Sequence, residues 1–189
     1  VFSICFLALT QGGVVWDLEP ETISQYNIQD ATFAGAGVGY GLICNSKVMP
    51  VSIDSRHILP IKDFTISAWV SIEEPRRWGG IIGCVQDDAD VECGWVLGYN
   101  ETQFTFGLST IGADDGDGLL TYLDSSDHTY EFGVWHHVVA TYDGKSLRLY
   151  VDGDLSNETS EQSGNILYNE SSQFVLGGYV DDNENHPLD

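Results

Sequence analysis

The sequence predicts an all-β chain, a sandwich or barrel of short antiparallel strands, and three observations carry that expectation. Strand-like runs recur at short intervals from residue 64 onward, with acidic or Gly/Ser/Asn-rich turns between them. The stretch Trp135–Gly153 reads as a β-hairpin closed by Asp-Gly dipeptides. No segment of convincing length repeats with the helical period, whereas the 189 residues include 21 glycines and 12% aromatics. One domain with a full core is the expectation at this length.

At the N-terminus, Val1–Thr10 is an apolar run too short to cross a bilayer. It reads as the tail of a secretory leader, residues 1–13, with cleavage between Thr10 and Gly13. The alternative is a first buried strand. The Gly-rich piece Phe33–Gly41 lacks the Gly-Lys-Ser/Thr ending and the following helix of a phosphate loop, so glycine-permitted bulging of an early strand is the better reading. The clear runs are Phe64–Ile72, Gly79–Val85, Gly94–Tyr99, Gln103–Leu108, Gly118–Leu123, Val134–Tyr142, Ser146–Val151 and Gln173–Val180. Within the hairpin, Leu147, Leu149 and Val151 share one face and Arg148 and Tyr150 the other, because side chains alternate along a strand. The preceding strand is apolar on both faces, as expected of a strand covered on both sides.

Seven basic residues against 29 acidic ones give a net charge of -22. Phosphate binding rests on Lys and Arg, so neither nucleic acid nor an anionic membrane is an expected partner. An acidic exterior suits solubility or a cationic ligand. Asn100, Asn157 and Asn169 each open an Asn-x-Ser/Thr glycosylation sequon, and with the leader they point to a secreted, extracellular protein. Cys84 and Cys93 lie at the facing ends of two apolar runs, so a disulfide across that short neck is expected, leaving Cys44 unpaired or buried. No Cys-x-x-Cys pair suggests zinc.

Phe64-Thr-Ile-Ser-Ala-Trp-Val70, Gly80-Ile-Ile-Gly83, Gly94-Trp-Val-Leu-Gly98, the Trp135–Gly153 hairpin and Phe174-Val-Leu-Gly-Gly178, in that order, resemble a laminin-G-like domain. This is the concanavalin A-like jelly-roll superfamily that also holds pentraxins and legume lectins. The resemblance covers residues 30–189 and implies one domain over 14–189, two antiparallel sheets face to face. Trp69, Trp95, Trp135 and Tyr150 would lie in or beside the core. It also implies a closing strand after the last motif; the chain stops at Asp189 before supplying it, so an exposed sheet edge is expected.

In pentraxins calcium ligands come from two loops at places comparable to residues 86–92 and 181–185. Carried over by position, Asp87, Asp88, Asp181, Asp182 and Asn183 are the candidate ligands of a Ca2+ ion, which takes six to eight oxygens. Solvated loop carboxylates are the alternative. Laminarinase-type hydrolases of the superfamily use Glu-x-Asp-x-x-Glu on one strand, and this spacing is absent from the sequence. His136 and His137 fall on opposite faces of one strand and are expected to be structural. Trp78, beside Arg76-Arg77, and Tyr179 are the candidate ligand-binding aromatics, since sugars stack on such rings. The segment Gly112–Tyr122 resembles versions attached to secreted metallophosphoesterases. The expectation is a non-catalytic extracellular module for a glycan or protein ligand, with a glycan hydrolase or an accessory module of a phosphoesterase as alternatives.

Overall fold

A computed structural model describes residues 2–9, 14–16, 32–36, 39–44, 50–53, 59–73, 77–88, 90–126, 130–182 and 184–187. Every regular element among them is a β-strand. In chain order these are β1 (Phe2–Leu9), β2 (Val14–Trp16), β3 (Thr32–Ala36), β4 (Gly39–Cys44), β5 (Val51–Ser52), β6 (Phe64–Ser71), β7 (Gly79–Asp88) and β8 (Val91–Asn100). Then come β9 (Gln103–Ser109), β10 (Leu120–Asp124), β11 (Trp135–Tyr142), β12 (Leu147–Val151), β13 (Asp154–Thr159), β14 (Phe174–Leu176), β15 (Gly178–Val180) and β16 (Asn185–Pro187).

Two antiparallel sheets result. One runs β13-β12-β11-β6-β1-β4-β3, with β2 paired to β1, and the other runs β10-β9-β8-β7-β14-β5. The all-β expectation and the two-layer arrangement hold. The strands alternate as the pattern requires: β6 and β12 bury every second residue. Ile66, Ala68 and Val70 from the first sheet meet Trp95, Leu97, Phe104 and Phe106 from the second in one core. The Phe64 ring lies 5.3 Å from that of Trp95 and 5.9 Å from that of Phe106, joining the layers. Burying one such side chain stabilises the fold by roughly 1.5–3 kcal/mol. Trp95 is fully buried, whereas Trp69, Trp135 and Tyr150 are half-buried on the outer face of the first sheet.

The hairpin turns follow from the sequence. Asp143 Oδ1 accepts the N–H groups of Lys145 and Ser146, closing the turn between β11 and β12. Asp152 and Gly153 both take positive φ between β12 and β13. His136 and His137 do face opposite ways. His136 Nδ1 sits 2.7 Å from Asp152 Oδ2, while His137 bonds Ser67 and stacks on Trp69.

One strand expectation needs correction, and the structure also describes the leader-like segment and the cysteine pair. Phe2–Leu9 is seated as β1 between β6 and β4, with Leu7 opposite Ala68 and Ile4 opposite Leu42. This pairing has the form of the strand alternative. A run of β-forming apolar residues satisfies the open ladder of β6. Cys84 and Cys93, the expected disulfide partners, lie on the neighbouring strands β7 and β8. Cys84 pairs in register with Trp95 and Cys93 with Gln86, so the two are offset along the ladder. Both sulfurs are buried and converge on Ser172, at 3.8 Å from its carbonyl and its hydroxyl respectively. The run Gln173–Val180 is not one strand. It breaks at Gly177, and β15 leaves the sheet to pair with β16.

That break positions the site. A Cβ on Gly80 would lie 2.0 Å from the carbonyl oxygen of Gly178, so β15 crosses directly over β7 and only glycine admits the crossing. The β15–β16 hairpin therefore covers part of the outer face of the second sheet.

Candidate ligand-binding site

The outer face of the second sheet is set by alternation. Phe104 and Phe106 point into the core, which turns Thr105 and Gly107 outward; Val96 and Gly98 on β8 and Tyr122 on β10 share that side through the register. Val85, Val96 and Leu120 form a second, smaller apolar cluster there, with Tyr122 and Tyr179 packed against it. A Cβ on Gly107 would lie 2.8 Å from the Tyr122 ring, so the missing side chain lets that ring lie down on the sheet.

Between this face and the β15–β16 hairpin lies a cavity of about 220 Å³. Its walls are Trp78, Tyr122 and Tyr179, its floor includes Gly98 and Thr105, and Asp87 and Glu184 bring carboxylates to it. Trp78 is 39% exposed and its ring stands 6.0 Å from that of Tyr122, tilted by 48°. The Tyr122 hydroxyl donates to Asp87 Oδ2 at 2.6 Å, and the Tyr179 hydroxyl donates to Asp181 Oδ2 at 2.6 Å. Burial, then the carboxylate partner, pushes both phenols well above the usual tyrosine range. Both stay protonated and donate to Asp87 and Asp181. Thr105 is 3% exposed, and its hydroxyl oxygen has no hydrogen-bond partner among the described residues. A buried hydroxyl left so costs about 1–3 kcal/mol, a cost that a ligand's polar group would remove.

The candidate residues from the sequence divide. Trp78, Tyr179 and Asp87 come together in the cavity, and Asp181 holds the Tyr179 hydroxyl. Asp88 instead caps the turn between β7 and β8. Its carboxylate accepts Gln86 Nε2 at 2.7 Å and the N–H groups of Asp90 and Val91, and these bonds hold its carboxyl below the usual range. Asp181 likewise accepts the N–H of Glu184 and closes the β15–β16 turn. Asp182 is exposed and outside the cavity lining. Asn183 and Arg76 lie outside the described residues. Among the described residues no group of three or more His, Cys, Asp or Glu side chains could hold a metal ion.

Tyr122, an aromatic near a strand end that the sequence also offers for sugar stacking, joins the cavity, whereas Thr105 and Glu184 were missed. Nothing local marked Thr105, whose place depends on Gly98 across the ladder. Of the sequons, Asn100 and Asn157 both donate to Asp124, to its carboxylate and its carbonyl respectively, and Asn169 caps a turn by accepting from Ser171.

Comparisons with known proteins agree with this architecture. Mouse (Mus musculus) pappalysin-1 is 29% identical over 134 residues, covering 64% of this chain and 8% of that protein. The chain thus spans under a tenth of that relative's length. Domain 4 of AbnA, a GH43 extracellular arabinanase from Geobacillus stearothermophilus solved with arabinotriose, superposes with a TM-score of 0.55 at 14% identity, over 84% of this chain and 71% of that one. The binding domain of botulinum neurotoxin serotype G gives a TM-score of 0.52 at 14% identity, over 91% of this chain and 45% of that one. A laminin-G family model matches residues 47–188, three-quarters of the chain, and by that match the chain belongs to the concanavalin A-like lectin/glucanases superfamily.

Proposed function

We propose that this chain is a non-catalytic binding module of a secreted protein and that its cavity takes one sugar unit of a glycan. The observation that carries this reading is the partnerless Thr105 hydroxyl beneath the Trp78, Tyr122 and Tyr179 rings. Aromatic faces provide the apolar stacking surface for a sugar ring, and a buried hydroxyl supplies a polar anchor of fixed direction. At about 220 Å³ the cavity is below the roughly 300–1,000 Å³ of drug-sized sites, which suits a terminal residue of a chain rather than a long one. AbnA domain 4, which shares the fold, was solved with a sugar trimer bound. Asp87 is tied to Tyr122 and serves as a wall, so no pair of carboxylates is assigned to cleavage. Secretion is supported by the three sequons and by the leader-like composition of residues 1–13.

A glycan array followed by titration of the hits, read by tryptophan fluorescence, tests the proposal. The expected result is saturable binding that Trp78→Ala weakens at least about tenfold, as loss of an aromatic anchor does. A blank array with binding to an extracellular protein instead would replace the ligand class. Release of reducing ends from β-glucans would replace the module by a hydrolase.

A further inference from the structure

The groups that line the cavity share one electrostatic sign. Asp87 and Glu184 bring carboxylates, Trp78, Tyr122 and Tyr179 bring the electron-rich faces of aromatic rings, and among the described residues no Lys, Arg or His lines the cavity. The phenol protons, which could have greeted an anion, are turned onto Asp87 and Asp181. Ring faces attract cations through their quadrupole, by roughly 0.5–1 kcal/mol when exposed and about 2 or more when desolvated. The half-enclosed cavity favours the desolvated case, and the chain's net charge of -22 adds a long-range field of the same sign. Thr105 then supplies a neutral hydroxyl at the floor.

We propose that the cavity is selective for an organic ammonium group, and that on a glycan this is the free amine of a non-acetylated amino sugar. This rests on the glycan reading for the sugar but not for the ammonium. N-acetylation removes the charge, and a uronic or sialic acid brings the wrong one, so both are rejected. The amine sits among the rings near Asp87, and a ring hydroxyl of the same sugar meets Thr105.

The test uses the full chain and five probes at matched ionic strength: a glucosamine trimer, an N-acetylglucosamine trimer, laminaritriose, and tetramethylammonium against its neutral counterpart tert-butanol. Expected is at least tenfold preference for the glucosamine trimer over the two neutral trimers. Binding of that trimer falls as salt rises, tetramethylammonium competes for it, and tert-butanol does not. Asp87→Asn keeps an acceptor for the Tyr122 hydroxyl while removing the charge, so it lowers affinity for the amine and leaves the melting temperature close to the parent's. Trp78→Ala abolishes the preference, whereas diffuse attraction to an acidic protein would survive it. Equal binding of all three trimers overturns the ammonium selectivity and leaves the glycan reading intact. Tetramethylammonium bound in a Trp78-dependent way with no sugar bound overturns the glycan reading and upholds the selectivity. Unchanged amine binding in Trp78→Ala overturns the proposal, as does silence from every cationic probe.

Discussion

At the residue scale, Tyr122 and Tyr179 tie the site's chemistry to the fold's stability. Each phenol is buried and donates to a carboxylate, which raises its pKa above that of a tyrosine in an unfolded chain. Unfolded phenols ionise near pH 10 (about 10 for a free side chain), while these hold their protons. Their contribution to stability is therefore complete below about pH 10 and is lost as pH rises further. Thermal melts between pH 8 and 12 should show a steep fall in melting temperature above about 10, and the double variant Tyr122→Phe/Tyr179→Phe should flatten that limb. Phenolate absorbance appearing well before the loss of structure would contradict this. Gly107 makes a second prediction. Gly107→Ala places a methyl 2.8 Å from the Tyr122 ring, so the ring must lift into the cavity. We expect weaker ligand binding with a nearly unchanged circular dichroism spectrum. Both residues show why the site was only half legible in sequence. A tryptophan beside arginines and a tyrosine at a strand end announce themselves, but Thr105 becomes a floor residue only because Gly98 and Gly107 beside it carry nothing.

At the element scale, strand existence was readable wherever apolar alternation met a turn signal, as in β6, β9, β11 and β12. Asp154–Thr159 escaped because β13 is an edge strand with few apolar residues, held by its register against Leu147–Val151. Residues 173–180 misled by their continuity: Phe174–Leu176 belongs to the sandwich, and Gly177 turns Gly178–Val180 out over Gly80. Sequence distance does not fix register either: Cys84 and Cys93 pair with Trp95 and Gln86 in the ladder. Their burial predicts negligible reaction with a thiol reagent in the folded chain, with rapid labelling under native conditions as the contrary result. The segment 160–167 is pinned by Gln162, which is fully buried. Its amide oxygen accepts from the Thr110 N–H and hydroxyl, and its amide nitrogen donates to the Leu119 carbonyl and Thr121 Oγ1. Gln162→Ala strands those partners and should cost about 2–4 kcal/mol, more than a typical surface change, read from denaturant midpoints.

At the scale of the whole molecule, the charge of -22 works against compaction. Rising salt should therefore raise the melting temperature. Magnesium and calcium at equal ionic strength should act alike if they only screen. A calcium-specific rise would instead place an ion at residues 181–185, where Asn183 lies. Composition gave this acidity directly; it could not say that two of the carboxylates would be spent on phenols.

The strand pairings also set an order of events. Phe174 bonds opposite Cys84, and Tyr142 opposite Phe64, so both sheets are knit from pieces far apart in the chain. Such non-local topologies close slowly, over roughly milliseconds to seconds, because the entropy of large loops is lost before contacts form. The cavity wall at Tyr179 follows every strand of the two large sheets in chain order. A nascent chain from which residues 178–187 have not yet emerged can therefore pair most of its sandwich strands before the cavity has its second wall.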